Sequence, residues 1–149
     1  MNRDFVEMLS ALLEARAEFL IVGAHALAAH GVPRATGDLD IWVRSETDNA
    51  DRVLAALKSF GAPLLDLTRE DLLRPATVFQ IGVAPSRIDI LTSITSVTFE
   101  GAWANRRTVT IEGLSIPVLG REEFIANKRA VGRPKDVADL ALLEEAEGR

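Results

Sequence analysis

Three aspartates supply the residues best suited to chemistry in this chain. Asp38 and Asp40 lie in Gly37-Asp38-Leu39-Asp40-Ile41-Trp42-Val43, and Asp89 lies in Arg87-Ile88-Asp89-Ile90-Leu91. The alternation predicts a β-strand that sends Leu39, Ile41 and Val43 into the core and Asp38, Asp40 and Trp42 to the opposite face. On such a strand the two aspartate Cβ atoms lie roughly 7 Å apart, so the carboxylates repel while their flexible ends can converge on a shared hard cation. Magnesium at that point would remove the repulsion; a strand start with solvated acids is the plainer alternative. Asp89 faces away from Ile88 and Ile90 on its own strand. An acid between two isoleucines is costly unless it has a partner or faces a solvated cleft.

The elements that must position these acids are legible in outline. Phe19 to Val22 form a short apolar strand, Gly23-Ala24 a tight turn, and an Ala-rich helix follows from about His25 to His30-Gly31-Val32-Pro33. The chain then turns back through Arg34 to Gly37 and enters the Asp38 strand. Upstream, Phe5, Met8, Leu9, Leu12 and Leu13 recur at helical spacing within 4–16. A helix is expected over 47–60, with Thr47 as its N-cap, Val53, Leu54, Leu57 and Phe60 inward, and Gly61 as its stop. The acidic stretch 63–74, with Asp66, Glu70 and Asp71, stays open between a partly buried loop and a short helical turn.

A hairpin is expected next, with strands over 77–83 and 87–92 joined by Ala84-Pro85-Ser86. A short helical stretch carrying Trp103, strands over 108–111 and 114–119, and helices over 121–131 and 137–147 complete the chain. Pro134 suits a first helical turn and Asp136 the positive end of the helix dipole, with Arg133 or Lys135 as pairing partners. The class is α/β (α+β), a small mixed sheet flanked by helices. Residues 1–149 are expected to form a single domain, with the C-terminal helices 120–147 packed on it.

Composition sets the outer limits. The chain has 149 residues, 48% of them hydrophobic, no cysteine, and a net charge of −5. That length supports a real core, and no apolar run approaches the roughly 20 residues that span a bilayer. Disulfides and thiolate metal sites are excluded. The charged opening Met1-Asn2-Arg3-Asp4 is unlike a secretory signal, so a cytoplasmic protein is expected. The negative balance argues against a generally basic nucleic-acid binder, though a local basic groove is compatible with it.

With these residues in place, the chain resembles the nucleotidyltransferase superfamily that includes DNA polymerase beta. The resemblance is carried by Gly23-Ala24, Thr36-Gly37-Asp38-Leu39-Asp40 and Arg87-Ile88-Asp89-Ile90-Leu91. Lys128 followed by Gly132-Arg133-Pro134-Lys135-Asp136-Val137-Ala138-Asp139-Leu140 is similar to a tail in small bacterial proteins related to AbiEii-type toxins of type IV toxin-antitoxin systems. It covers most of the chain, and the segment carrying Asp66, Glu70 and Asp71 matches no motif of the family.

The resemblance implies a magnesium-dependent transfer of a nucleoside monophosphate from a nucleoside triphosphate, ATP being one candidate, to a hydroxyl on RNA or protein. It implies two magnesium ions roughly 4 Å apart, held by Asp38, Asp40 and Asp89, with Asp89 completing the site of the attacking group and serving as a candidate base. Gly23 and Ala24 would lie beside the triphosphate, where N–H groups at a helix start favour anions. Lys128, Arg133 and Lys135 are candidates for the remaining positive charge, a solvated basic edge being the alternative. Arg34 and Thr36 complete the candidate nucleotide-binding set; Arg34 steers a phosphate or pairs with Asp38.

The chain also departs from the pattern. Ala24 stands where the family has a second Gly or a Ser, which removes a hydroxyl contact to phosphate. His25 follows at once, as a phosphate contact or a packing residue, and His30 is a helix-end residue whose charged form would suit the dipole. Trp42 is a candidate base-stacking residue, with core packing as the alternative. A cognate antitoxin is an expected partner. A non-catalytic nucleotide-binding or protein-interaction module with the same fold, and a two-metal phosphohydrolase, remain the other readings.

Overall fold

A computed structural model describes residues 1–32 and 37–147. Six strands form one mixed sheet in the order β3-β4-β2-β1-β6-β5: β1 (Phe19–Val22), β2 (Leu39–Val43), β3 (Val78–Ile81), β4 (Ile88–Leu91), β5 (Arg107–Ile111) and β6 (Leu114–Val118). Seven helices accompany them among the described residues: α1 (Arg3–Glu14), α2 (Gly23–Ala29), α3 (Thr47–Phe60), α4 (Arg69–Leu73), α5 (Phe99–Ala104), α6 (Arg121–Val131) and α7 (Pro134–Glu147). The expected α/β class and mixed sheet are what the chain adopts.

The centre of the sheet is buried because its strands lack a polar residue on the core side. β1 is buried along its whole length, and Leu39, Ile41, Ile88 and Ile90 are each fully removed from solvent. Helix α1 adds Phe5, Met8, Leu9 and Leu12 to that core, and at about 25 cal/mol per Å² such side chains supply the main driving force. β2 runs antiparallel to β1 and parallel to β4. The second pairing matters most for function, since it sets Asp40 directly opposite Asp89.

The connection entering α3 differs from the sequence expectation. Thr47 is the first helical residue, and Glu46 takes the N-cap position, extended at φ −139° and ψ 148° and without a side-chain capping bond. The Glu46 carbonyl already accepts the first helical bond, from Ala50 N at 2.7 Å, which is what defines that position. Gly61 ends the helix as expected, in the left-handed region at φ 93°.

A buried amide fixes the same corner. Asn49, 1% exposed, accepts from Glu18 N at 2.7 Å and donates to the carbonyls of Glu18 and Arg44, both at 3.0 Å. Asn49→Ala strands the Glu18 N–H, whereas the Glu18 and Arg44 carbonyls keep bonds from Arg44 N and Glu46 N. It is expected to lower unfolding stability by about 1–3 kcal/mol, read from urea denaturation.

The acidic stretch 63–74 left open by the sequence is a turn at Leu65 and Asp66 followed by the short helix α4. Thr68 caps α4 by accepting from Asp71 N, and Asp71 returns a bond to Thr68 N, so this acid serves the backbone. Arg69 then ties α4 to α3 through two 2.8 Å bonds to Asp51.

Candidate active site

Asp40 sits at the meeting point of three elements. It lies on β2, pairs across β1 with Val22, and pairs across β4 with Asp89. Because the strands are parallel and in register, the two aspartates project from the same face. Burial, the charges of Asp89 and Asp38, and the nearness of the Asp89 carboxyl push the Asp40 carboxyl up from 3.8 to about 6, while Lys128 pulls the other way. Withdrawal of water is the largest cause, so an ionised Asp40 is costly here, and the two neighbouring acids add to that cost.

Gly23 closes over this carboxyl. It leaves β1 at φ +71°, and a Cβ there would stand 2.4 Å from Asp40 Oδ2. Glycine is needed for both reasons, a left-handed turn and a carboxylate pressed against the backbone. Ala24 follows within α2. Asp38, just before β2, is about one-third exposed and lies 3.5 Å from Arg87 Nε.

Arg87 is the residue that the motif analysis passed over. Its Nε and Nη2 donate to the two oxygens of Asp89, each at 3.1 Å, in the planar fork that favours carboxylates. A usable signal was present in the sequence, since residues two apart on an extended segment share a face and Arg87 precedes Asp89 by two.

The basic tail is arranged differently from a free phosphate-binding edge. Lys128 on α6 is close enough to Asp40 to act on it electrostatically, yet its Nζ is 3.2 Å from Asp136, which is fully buried. Arg133 also turns to Asp136, through Nε at 2.7 Å and Nη2 at 3.2 Å, and its backbone N–H donates to the same carboxylate at 3.1 Å. These contacts hold the Asp136 carboxyl well below the usual carboxylate range, the arginine bond contributing most. Asp136 is thus the structural acid expected at the start of α7, with Lys128 as an additional partner. Lys135 is exposed on the first turn of α7.

Other candidates fall away from the acids. The His25 ring packs edge-on against Phe5, with centroids 5.6 Å apart, and lines a largely apolar cavity with Ile21, Ala28, Val109 and Val118. Burial lowers its pKa, and its Nε2 has no hydrogen-bond partner among the described residues. This is the packing alternative for His25. His30 meets the Leu119 carbonyl at 2.8 Å, and burial pushes its pKa down, so the charged form is disfavoured at this helix end. Trp42 is 2% exposed under Phe99 of α5, with ring centroids 5.0 Å apart, and belongs to the core. Arg34 and Thr36 lie outside the described residues.

The three acids carry hard oxygen donors of the kind a divalent ion prefers, and the lack of a side chain at Gly23 lets the Asp40 carboxylate lie against the backbone. Among the described residues no three such groups converge as a preformed cage.

Comparison with known proteins supplies the fold. No family model matches the chain, and no curated protein matches it. Among solved structures, a candidate nucleotidyltransferase (TM1012) from Thermotoga maritima superposes with a TM-score of 0.64 at 17% identity, covering 99% of this chain and 92% of that one. The structure of ANT(2″)-Ia in complex with adenylyl-2″-tobramycin gives a TM-score of 0.57 at 14% identity, over 96% of this chain and 90% of the other. No described helix is long and apolar enough to cross a membrane. The six-stranded mixed sheet, with two acids in register on β2 and β4, is accordingly a nucleotidyltransferase-like fold.

Proposed function

We propose that this chain is a magnesium-dependent nucleotidyltransferase that moves a nucleoside monophosphate from a nucleoside triphosphate to a hydroxyl on RNA or protein. The observation that carries the reading is the in-register pair Asp40 and Asp89 with Asp38 beside it, where an ionised Asp40 is costly and a cation would relieve that cost. Asp38, Asp40 and Asp89 would hold two magnesium ions. Bound there, the metal supplies charge neutralisation for the phosphates and activation of the attacking hydroxyl.

The chain's own residues account for the remaining roles. The hydroxyl oxygen bonds to the α-phosphorus, the bond to the oxygen bridging the α- and β-phosphates breaks, and pyrophosphate leaves; Asp89 accepts the hydroxyl proton. Lys128, braced by Asp136, would face the phosphates from α6, and Lys135 adds charge at the rim. Gly23 and Ala24 would border the triphosphate. The tail from Lys128 to Leu140 supports an AbiEii-like role with a cognate antitoxin as protein partner.

Calorimetry with magnesium and each triphosphate tests the binding half of this reading. Wild type is expected to bind a magnesium–triphosphate complex, and Asp38→Ala to lose at least about tenfold in affinity, as removal of one charged ligand requires. Gly23→Ala is expected to reproduce most of that loss, because the new methyl displaces the Asp40 carboxylate while the fold survives. Equal affinity in all three proteins would contradict the assignment. Ala24, which lacks a hydroxyl for phosphate, favours a second reading: a nucleotide-binding module that transfers nothing. Tight magnesium–triphosphate binding with no labelled acceptor identifies that case.

A further inference from the structure

The guanidinium of Arg87 lies against two of the three acids proposed to hold metal. It contacts both oxygens of Asp89 at 3.1 Å and Asp38 Oδ2 at 3.5 Å, so one side chain engages two of the three carboxylates. The Asp89 side chain is 10% exposed and that of Arg87 37%, so the acid is fixed inside while the cation reaches it from the solvent side. An arginine remains charged at any pH the protein survives, and its fork matches a carboxylate in two bonds. Consistent with this, among the described residues no three acidic or imidazole groups converge as a preformed metal cage. Asp38 and Asp89 are directed at the guanidinium.

From these contacts we infer that Arg87 is the built-in counter-cation of the acidic site, which a divalent ion must displace from Asp38 and Asp89, so that Arg87 sets the metal affinity. This rests on the reading of the three aspartates as cation ligands. It carries a consequence opposite in sign to that of a brace. If Arg87 merely oriented Asp89, its removal would loosen metal binding. As a competitor, its removal frees carboxylate oxygens and takes a positive charge away from the incoming dication, so binding tightens.

The test is calorimetric titration of Mg²⁺ and Mn²⁺, without nucleotide, into the full chain as wild type, Arg87→Ala and Arg87→Lys. Loss of the guanidinium is expected to tighten binding about tenfold in Arg87→Ala. Arg87→Lys, a point charge that cannot fork, should fall between the two at about threefold tighter. Thermal unfolding read by circular dichroism should show a lower midpoint for Arg87→Ala without metal and a larger rise on adding Mn²⁺. Should Arg87→Ala not fold, Arg87→Lys alone decides the sign. Metal binding by wild type, with equal or weaker binding by the variants, overturns the role of Arg87 and leaves the metal site intact. Binding by neither wild type nor variants overturns the metal site itself, and this inference with it.

Discussion

Asp40→Asn is expected to stabilise the metal-free protein at about pH 7.5 by about 1–3 kcal/mol while abolishing nucleotidyl transfer. The two effects share one cause. Burial and the neighbouring Asp89 and Asp38 raise the Asp40 carboxyl from 3.8 to about 6, so at neutral pH the ionised carboxylate costs the folded state more than the unfolded one. The asparagine amide keeps the shape and removes the charge, and with it both the penalty and the metal ligand.

The sign with pH follows directly. A carboxyl whose folded pKa is raised holds its proton more tightly when folded. Its contribution to stability is complete below the unfolded value and is lost as pH rises through about 6. Metal-free stability from this group should therefore fall between about pH 4 and 6, and the gain from added Mg²⁺ should grow across the same interval, because the cation binds the ionised form. Urea denaturation at several pH values, with and without Mg²⁺, measures both slopes. A metal gain independent of pH would contradict the role given to Asp40.

Asp136→Ala is expected to cost about 3–5 kcal/mol, a large share of the stability of a domain this size. Asp136 is fully buried beneath Lys128, whose side chain is itself only 11% exposed, and it also accepts three bonds from Arg133. Removing it leaves the Lys128 ammonium in a nearly closed site without its partner. Arg133 is 61% exposed and can turn to water, so the lysine dominates the loss. The double variant Lys128→Met/Asp136→Leu should recover most of the stability, since no charge is left stranded. Denaturation midpoints of the three proteins check this, and a double variant as unstable as Asp136→Ala would contradict it.

Local pattern revealed the elements better than their neighbours. Period-two alternation placed β2 and β4 and showed which of their residues face the core, and helical spacing placed α1, α3 and α6. The position of Asp40 opposite Asp89 was not legible, because alternation assigns a face to each strand and says nothing about which strand lies beside it or in what register. The C-terminal tail misled for a related reason. Lys128, Arg133 and Lys135 read as one basic edge, whereas α7 turns Asp136 and Asp139 inward and leaves Val137 and Leu142 exposed, so the lysine and arginine are drawn to a buried acid. The Thr68 to Asp71 spacing did carry a capping signal, hidden by reading Asp71 only as charge. His25 was ambiguous because nothing local announces that Phe5 of α1 will lie against its ring.

The central claim is that the three aspartates support nucleotidyl transfer. Incubating the protein with Mg²⁺, each α-labelled nucleoside triphosphate, and total RNA or cell lysate tests it most directly, with Asp38→Ala and Asp89→Ala alongside. Label on one class of acceptor, released with pyrophosphate and absent from both folded variants, is the predicted result. Label that persists in a folded Asp38→Ala or Asp89→Ala protein would contradict the account.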